Sequence, residues 1–571
     1  MAPVGAAAAA RQAEPILTRI VEQDQIPWYR KRNLRRLYAL LLPTCIGIEM
    51  TSGFDSQMIN AVQIAPTWRL YFNNPQGALL GIMSSAYNLG AICALPLVPY
   101  VNDRFGRRWA IFLGSWIMVV GSVVQAFSIN AGMYVGARFI LGFGIPFCII
   151  AGSSLMGELA YPKERPIMTS LFNALWFVGS LIAAGVSYGT QSLKDDWAWR
   201  IPSLLQAGPS LLQIVFIFMI PESPRFLISK DRREEAYATL ITYHAEGATT
   251  SPFAAAEMAQ IEHTIRIELE HSKRSWREMI AVPGLRKRVI IGSFLGLFTQ
   301  WSGNTLLSYY LNQLLNMIGY DDPGFVGKVN VGLNSWNLVN AVCISLLVRR
   351  FPRRKMYLIC ASSLLCCYVA WTVAMQRYTA TKRIEPARLT IAIIFLYQMC
   401  YNIGYNALTY TFLVELFPFA QRTKGITIFQ FFSRTAVFTT TILNPIGLKH
   451  VQGKWLIMYC AWLGFEIIFI YFMFPETYGR TLEELAFLFE DHALADEATT
   501  HVEKQMEWAE RRWSRIDERM SWEMDIVVPS KAHHGQGEGG NDVVTLDARE
   551  TVQRHQYRRR NSSWEDLRQG E

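Results

Sequence analysis

Charged side chains are scarce in this sequence. Asp, Glu, Lys and Arg together make up 18% of its 571 residues, whereas about a quarter is usual for soluble domains. The charges are also segregated, because windows of about 20 residues that are almost free of charge alternate with short basic clusters. A soluble core does not require such windows one after another, so the pattern predicts a membrane protein.

Motifs for metal binding, disulfide frameworks and catalysis are missing as well. All nine cysteines fall inside predicted membrane helices, and none has the CxxC or His/Cys spacing of a zinc site. The sequence contains no nucleophile–base arrangement and no glycine loop that would cradle phosphates. We therefore expect no cofactor and no metal, and a protein that is not an enzyme.

The net charge of +9 does not indicate a nucleic-acid partner. The basic residues gather where apolar segments end, as they do in the cytoplasmic loops of membrane proteins. Lys and Arg are concentrated at the N-terminal flank 30–36 and in the alternate loops near 104–108, 163–165, 349–355 and 422–424. The short loops between them are mostly poor in Lys and Arg, although the loop 377–388 is an exception. This distribution predicts a multi-pass protein of the plasma membrane with both termini in the cytoplasm.

The apolar segments predict an all-α membrane protein with twelve transmembrane helices in two six-helix halves. Each segment can cross about 30 Å at 1.5 Å per residue. We place them at 37–60, 78–100, 109–128, 133–157, 168–190 and 202–220, and at 289–315, 329–348, 356–376, 389–416, 425–447 and 455–474. The chain is then divided into an N-terminal tail 1–36, a first half 37–225, a linker 226–288, a second half 289–479 and a C-terminal tail 480–571.

The linker and the C-terminal tail are polar. In the linker, Ile261, Ile265 and Leu269 recur every four residues between charged side chains, which predicts an amphipathic helix against the cytoplasmic face. In the tail, the stretch 502–524 could form a helix, while the glycine-rich and arginine-rich segments beyond it are typical of disorder.

Three short patterns occur twice, roughly 250 residues apart and in the same order. The pattern DRFGRR at 103–108 is echoed by RRFPRR at 349–354, the Glu158/Arg165 pair by Glu415/Arg422, and PESPR at 221–225 by PETYGR at 475–480. Such an internal repeat predicts two homologous halves. We interpret the charged members as a cytoplasmic gate that latches the halves together: Asp103, Arg107, Glu158, Arg165, Arg353, Glu415 and Arg422. The alternative is that these charges only set the topology.

At these residues the chain resembles the sugar porter family of the major facilitator superfamily. Further matching signatures are GFD at 53–55, GAR at 136–138, WRIP at 199–202, PESPRFL and PETYGRTLEE. The resemblance covers about 37–485 and implies the major facilitator fold, with two pseudo-symmetric halves that alternate in access.

The chain departs from the usual family pattern in the central helices. Thr299 and Thr305 replace a Gln and an Asn in helix seven, Asn173 replaces a Gln in helix five, and Tyr410 replaces a Trp in helix ten. The segments QWSGN, SYYLN and NPI (444–446) are similar to the branch of fungal lactose permeases and cellodextrin transporters.

Asp55 is a carboxylate in the middle of an apolar helix, where a charge is costly unless it is paired, protonated or hydrated. Arg138 in helix four is its natural partner, as the resemblance also implies. We interpret Asp55 and Arg138 as the proton-coupling pair, and the alternative is a static structural ion pair. Glu49 precedes Asp55 by nearly two turns, and its role stays open. Arg434 in helix eleven could bind sugar hydroxyls, bind a carboxylate or pair with a glutamate.

A sugar requires amide and hydroxyl groups together with an aromatic platform. Polar and aromatic side chains of this kind occur in helix seven and at the resembling positions of other helices. The predicted substrate-binding residues are Gln300, Asn304, Thr305, Tyr310, Asn173, Tyr410 and Gln206. The alternative is that these polar groups only bond between helices.

The sequence therefore predicts a monomeric secondary transporter in the lipid bilayer that moves a small-molecule sugar, a hexose or a disaccharide such as lactose or cellobiose, with a proton. The alternatives are a facilitative uniporter and a non-transporting sugar receptor that signals through the C-terminal tail.

Overall fold

The computed structural model describes residues 26–489 apart from 65, 74–77, 191–192, 249–250, 272–275, 321–322, 382, 452–454, 481, 483–484 and 486–488. The regular elements in this part of the chain are helices, without a β-strand. This confirms the predicted all-α class. The stretch 502–524 and the side chains of Leu269 and Tyr310 lie outside what the structure describes.

The helices of the first half form six spans in chain order. Several spans consist of two helices that follow one another along the chain. They are span 1 (Arg32–Leu41 and Gly47–Ile64), span 2 (Ala78–Ala94 and Val98–Phe105), span 3 (Arg107–Ala126), span 4 (Ala131–Leu159), span 5 (Arg165–Ala174 and Trp176–Thr190) and span 6 (Trp197–Leu205 and Ala207–Phe216).

The second half repeats this arrangement after four linker helices, Pro224–Ser229, Arg233–His244, Pro252–His271 and Glu278–Ala281. Its spans are span 7 (Pro283–Trp301 and Asn304–Met317), span 8 (Pro323–Leu347), span 9 (Arg353–Thr381), span 10 (Ile384–Tyr401 and Thr409–Leu416), span 11 (Phe419–Val451) and span 12 (Trp455–Met473). The described part of the chain thus contains the twelve helical spans that the apolar segments predict.

Nine helical stretches among the described residues are long and apolar enough to cross a membrane, and the bent pair in span 2 makes a tenth. The two remaining spans are 7 and 11. Both carry polar side chains along one face, for example Gln300 and Asn304 in span 7 and Gln430 and Arg434 in span 11. A polar face within a membrane span points to the protein interior or to a water-filled cavity.

The sequence predicts continuous helices, but six spans are interrupted, among them spans 2, 7 and 10. Span 2 bends by 51° between its two helices, where Pro96 and Pro99 remove backbone donors. Span 7 breaks at Gly303, whose φ of +105° is in the left-handed region and where a Cβ would lie 1.6 Å from the Tyr368 hydroxyl. Span 10 contains a π-helical turn at Asn402–Asn406. Periodicity alone does not reveal such breaks.

Two reciprocal pairs of glycines bring the spans of the first half into backbone contact. A Cβ on Gly90 would lie 2.1 Å from the Phe139 carbonyl oxygen, and a Cβ on Gly142 would lie 1.9 Å from that of Tyr87, so spans 2 and 4 pack without side chains between them. Gly53 and Gly179 bring spans 1 and 5 into the same kind of backbone contact. Small residues permit this close approach between membrane helices.

The linker helices pack against the end of the bundle that carries the duplicated motifs, which we call the motif end. Ile261 and Ile265 are buried in a cluster with Leu240 and with Phe419 of span 11, as the four-residue repeat predicts. The Glu246 carboxylate accepts from the backbone N–H groups of residues 33 and 34, at 3.0 and 2.9 Å, and so caps the first helix of span 1.

A second linker contact joins His244 to the end of span 4. Its Nδ1 lies 2.7 Å from Glu257 and its Nε2 lies 3.2 Å from the Leu159 carbonyl oxygen. Burial works against the ionised form of Glu257, but the imidazole of His244 holds the pKa of this carboxyl below its ordinary value. The linker is therefore an integrated part of the motif end.

We expect Gly142→Ala to destabilise the bundle, because its methyl group would collide with the Tyr87 carbonyl oxygen. Overpacking of this kind costs about 1–3 kcal/mol. Gly136→Ala is the matched control, since it lies in the same span and a Cβ there meets nothing within 4 Å. Thermal denaturation of the detergent-solubilised variants should show a lower midpoint for Gly142→Ala alone, and equal midpoints would contradict the packing argument.

Candidate functional site

The duplicated motifs of the first half assemble into one buried cluster around Glu158. Arg107 Nε lies 3.4 Å from Glu158 Oε2, and the Ser223 hydroxyl donates a short hydrogen bond to the same carboxylate. Glu158 and Arg107 are each 1% exposed. Residues from spans 3 and 4 and from the PESPR segment thus share one buried charge.

The second half builds the same cluster from the repeated residues. Arg353 Nη2 lies 3.3 Å from Glu415 Oε1, and the Thr477 hydroxyl donates to Glu415 Oε2 at 2.6 Å. Arg353, Glu415 and Thr477 correspond in the repeat to Arg107, Glu158 and Ser223. The two halves are therefore alike in local contacts as well as in sequence.

A glutamate from the last motif caps the third span in each half. Glu222 accepts from the backbone N–H of Arg108 at 3.1 Å, and Glu476 accepts from that of Arg353 at 2.8 Å. A carboxylate at a helix N-terminus is stabilised by the unpaired N–H groups and by the helix dipole. Burial nevertheless raises the pKa of Glu222 above its ordinary value.

At the motif end, direct bonds join the two halves at Glu158 and at Thr423. Arg422 of span 11 donates to Glu158 Oε1 at 2.8 Å, which adds a cation of the second half to the first-half cluster. Asn102 donates to the Thr423 hydroxyl at 2.8 Å, and that hydroxyl lies 3.4 Å from Asp103 Oδ1. The predicted gate residues Asp103, Glu158 and Arg422 therefore meet across the interface between the halves.

Arg165 is placed differently from the other predicted gate residues. It is buried at the start of span 5 and interacts electrostatically with Glu257 of the linker. Arg353 and Glu415 form the equivalent cluster within the second half. The seven predicted gate residues thus lie at the motif end, where Glu158 is paired with an arginine from each half.

A cavity of about 140 Å³ lies between the two halves. Five of the predicted substrate-binding residues line it, namely Asn173, Gln300, Asn304, Thr305 and Tyr410. The cavity also has aromatic walls, which include Trp176, Phe177, Tyr401 and Tyr405. Amides, hydroxyls and aromatic rings thus surround one space, which is the chemistry that a sugar ring requires.

Hydrogen bonds orient the polar side chains of this cavity. Gln300 Nε2 donates to the Ser433 hydroxyl at 3.3 Å and Gln300 Oε1 accepts from the Thr305 hydroxyl at 3.3 Å. Asn173 Nδ2 donates to the Asn406 carbonyl oxygen at 2.7 Å, across the interface between the halves. Long hydrogen bonds such as the two of Gln300 are weak. They orient its amide group but leave it able to bind a ligand.

Asp55 and Arg138 form a buried ion pair, as the sequence predicts. Arg138 Nη1 and Gln206 Nε2 both donate short hydrogen bonds to Asp55 Oδ1. Gln206 is predicted as a substrate-binding residue, but the structure places it against Asp55 and away from the cavity lining. The ring of Tyr87 lies 5.3 Å from the Arg138 guanidinium, which adds a cation–π contact.

The glycine pairs explain how this ion pair forms. Arg138 is one turn before Gly142 in span 4, and Gly142 lies against the backbone of Tyr87. Asp55 is two residues after Gly53, which packs on span 5. Close contact at the two glycines therefore holds the carboxylate, the guanidinium and the tyrosine ring together.

Several residues of the site are not assigned from the sequence. The sequence leaves the roles of Glu49 and Arg434 open, and the structure shows that both line the cavity. Gln430 and Ser433 of span 11 also line the cavity and are not predicted, although Gln430 lies at the helical spacings of three and four residues from Ser433 and Arg434. Glu466 in span 12 is fully buried and accepts from the Tyr405 hydroxyl at 2.5 Å.

The sequence profile of the family described as "Sugar (and other) transporter" matches residues 40–489. The chain belongs to this family. Membership confirms the expected transporter of the sugar porter type, and with it a multi-pass membrane protein that is not an enzyme.

Similar proteins come from filamentous fungi and yeasts. The chain is 27% identical over 414 residues to the MFS-type transporter oryC of Aspergillus oryzae, which covers 71% of this chain and 76% of that protein. It is 23% identical over 510 residues to a high-affinity glucose transporter of Kluyveromyces lactis, which covers 85% of this chain and 91% of that protein.

Solved structures share the fold. The proton:xylose symporter XylE bound to 6-bromo-6-deoxy-D-glucose superposes with a TM-score of 0.71 at 21% identity, over 80% of this chain and 99% of that chain. The inward-open conformation of the Escherichia coli xylose transporter XylE gives a TM-score of 0.60 at 22% identity, over 80% and 100%. These similarities confirm the major facilitator fold.

We expect Arg422→Gln to open the motif end, because it removes the cation that crosses between the halves while Arg107 still neutralises Glu158. Loss of a hydrogen bond to a charged group costs about 1.5–3 kcal/mol, which changes the ratio of two conformations roughly 10- to 100-fold. Electron paramagnetic resonance distances between spin labels at positions 104 and 349, which are exposed, should lengthen in a cysteine-free background.

The matched control is Arg232→Gln, which removes an exposed ion pair with Glu235 and should leave the distances unchanged. If Arg422→Gln gives the same distance distribution as the unmodified chain, the charges only set topology and the gate assignment fails.

Proposed function

We propose that this chain imports a sugar across the plasma membrane together with a proton, by alternating access. The observation that carries this proposal is a buried Asp55–Arg138 pair on spans that also border a polar cavity between the halves. Span 1 contributes to both places, because Ser52 and Ser56 on either side of Asp55 line the cavity. A change in the cavity can therefore reach the carboxylate through one helix.

Alternating access is supported by where the halves touch. The Arg422–Glu158 bridge and the Asn102–Thr423 bond close the motif end. We assign the motif end and both termini to the cytoplasm, because Lys and Arg are concentrated in its loops. The closed gate then blocks the path from the cavity to the cytoplasm, and breaking it would release the substrate there.

Proton coupling is supported by the environment of Asp55, which is 1% exposed. An intramembrane carboxylate persists when it is paired, protonated or reached by water. Its ionised form depends on the distance to Arg138, because a nearby cation favours the charged state. If sugar binding moves span 1 relative to span 4, the affinity of Asp55 for a proton changes with it, which is the requirement for symport.

The cavity supports a single sugar ring as the substrate. A cavity of about 150 Å³ in another protein accommodates benzene, a six-membered ring, and the cavity here is about 140 Å³. The similar yeast protein named as a glucose transporter is consistent with a hexose.

A second candidate is a disaccharide. The segments QWSGN at 300–304 and SYYLN at 308–312 resemble fungal lactose permeases and cellodextrin transporters, and a second ring would then extend from the cavity into the opposite access path. Uptake of labelled glucose, xylose, lactose and cellobiose in a yeast strain that lacks its own sugar carriers separates the two candidates.

Asp55→Asn should abolish accumulation of the sugar against its gradient and leave exchange across the membrane largely intact. Asparagine keeps the shape and can still accept from Arg138, but it cannot take up a proton. The measurement compares uptake at an imposed pH gradient with counterflow in proteoliposomes.

Glu262→Gln is the control for this prediction, because it removes a carboxylate of the linker that pairs with Arg233 at 2.8 Å and does not line the cavity. If Asp55→Asn still concentrates the sugar, Asp55 is not the coupling site. If the unmodified chain equilibrates sugar but never concentrates it, the chain is a uniporter, and binding without any uptake would identify a receptor.

Gln300→Ala should weaken the apparent affinity for the sugar about 3- to 100-fold. Gln300 borders the cavity with two donors and an acceptor, and a lost hydrogen bond costs about 0.5–1.5 kcal/mol, or about 1–3 when a partner is stranded. The half-saturation constant for uptake measures this change, at equal surface abundance.

Gln213→Ala provides the comparison, since Gln213 is a buried glutamine of span 6 that bonds to Ser115 at 2.7 Å outside the cavity lining. An unchanged half-saturation constant in Gln300→Ala would remove Gln300 from the sugar site and leave Asn173 and Tyr410 as the main candidates.

A further inference from the structure

Glu49 and Arg434 bring opposite charges to the wall of the cavity, from span 1 and span 11. Their charges interact. However, no carboxylate oxygen of Glu49 lies within 4.0 Å of a guanidinium nitrogen of Arg434, so the two described side chains do not form a salt bridge. The pair is therefore separated rather than closed. A separated pair of charges on a polar cavity leaves room for a ligand group between or beside them.

The Glu49 carboxylate has unused hydrogen-bonding capacity. It is 3% exposed, one side of it faces the Tyr410 hydroxyl, and its Oε1 is buried with no hydrogen-bond partner among the described residues. A buried, unpartnered carboxylate oxygen is costly. Its position on the cavity wall means that a ligand with donor groups would satisfy it.

Arg434 is only loosely held by the protein. Its Nη1 lies 3.4 Å from Asn88 Oδ1, which is a long hydrogen bond, and its guanidinium lies 5.5 Å from the centre of the Tyr87 ring. The guanidinium has five N–H donors, so it can also serve an acceptor on a ligand. Together the two side chains offer one strong acceptor and one strong donor to the same space.

We propose that Glu49 and Arg434 form a charged subsite that binds the sugar directly, with Glu49 accepting from substrate hydroxyls and Arg434 donating to a substrate oxygen. This inference rests on the proposed sugar transport. A carboxylate only accepts and a hydroxyl can donate, and a hydrogen bond to an ionised acceptor is roughly twice as strong as a neutral one. The subsite thus selects for a polyol that keeps the contacting hydroxyl.

The same two residues connect the sugar to the proton site. Arg434 and Arg138 both lie on the ring of Tyr87, at 5.5 and 5.3 Å. Arg434 also interacts electrostatically with Asp55 as well as with Glu49. Arg434 therefore interacts with both carboxylates of span 1, and a sugar that binds to it changes the surroundings of Asp55.

The test maps substrate hydroxyls against Glu49. The half-saturation constant for counterflow, which needs no proton gradient, is measured for the transported sugar and its singly deoxygenated analogues. The unmodified chain should lose about 10- to 100-fold in affinity for the analogue that lacks the contacting hydroxyl. Glu49→Gln should lower the affinity for the parent sugar about tenfold and the affinity for that analogue much less. The reason is that the substitution and the missing hydroxyl remove the same hydrogen bond.

Glu49→Asp and Glu262→Gln complete the test. The first keeps the charge but shortens the reach and should fall between the unmodified chain and Glu49→Gln. The second removes a carboxylate of the linker that pairs with Arg233 at 2.8 Å and does not line the cavity, and it should show the unmodified pattern. Elution as a single species checks that each variant is folded.

Equal losses for every analogue in the unmodified chain and in Glu49→Gln would overturn the subsite. So would an unchanged affinity in Glu49→Gln combined with lost accumulation, since Glu49 would then serve proton transfer alone. If the unmodified chain neither binds nor exchanges any sugar, the proposed function fails and the subsite fails with it.

Discussion

The structure depends on the burial of one negative charge, that of Glu158. A buried carboxylate is tolerated only when cations and hydrogen bonds replace the water it has lost. Arg107 from the same half and Arg422 from the other half both supply that replacement, together with the Ser223 hydroxyl. The cost of exposing or stranding this charge favours contact between the two six-helix halves at the motif end, where the Asn102–Thr423 bond also joins them. Glu415 has the equivalent partners within its own half, Arg353 and Thr477, so the contact between halves is the part of the cluster that can open without breaking either half.

Backbone packing imposes the second constraint, because it determines where charges can be held inside the bundle. Spans 2 and 4 meet at Gly90 and Gly142, and spans 1 and 5 meet at Gly53 and Gly179, with no room for a Cβ. Such contacts are rigid, since protein interiors transmit displacements rather than absorb them. Asp55, Arg138 and Tyr87 lie within one turn of these contacts. A small rotation of span 1 against span 4 would therefore act directly on the ion pair.

Much of this arrangement could be predicted from the sequence, because its main signals are strong and repeated. The paired motifs predict the two halves and the Arg–Glu clusters, and an isolated charge such as Asp55 in an apolar helix indicates a buried partner. The rest depends on tertiary geometry that a single sequence does not contain. Gln206 follows a motif that resembles a sugar-binding position, yet it lies between the two helices of span 6 and bonds to Asp55 of span 1. The break at Gly303 and the face of span 11 that carries Gln430, Ser433 and Arg434 likewise follow from how spans 7 and 11 pack.

The two halves share their motif-end clusters but differ in the membrane centre. The first half contributes the buried charges Asp55 and Arg138, whereas the second half contributes most of the amides and hydroxyls of the cavity, such as Gln300, Thr305 and Gln430. If the first half handles the proton and the second half handles the sugar, coupling must cross the interface between them. Arg434 is well placed for this, because it belongs to the second half and contacts Asn88 and Tyr87 of the first. Glu49 makes the converse contact, because it belongs to the first half and its carboxylate faces Tyr410 of the second half. Each half thus places one charged side chain against residues of the other half. A movement that separates the halves would change the contacts of Arg434 with Asn88 and Tyr87 and that of Glu49 with Tyr410 at the same time.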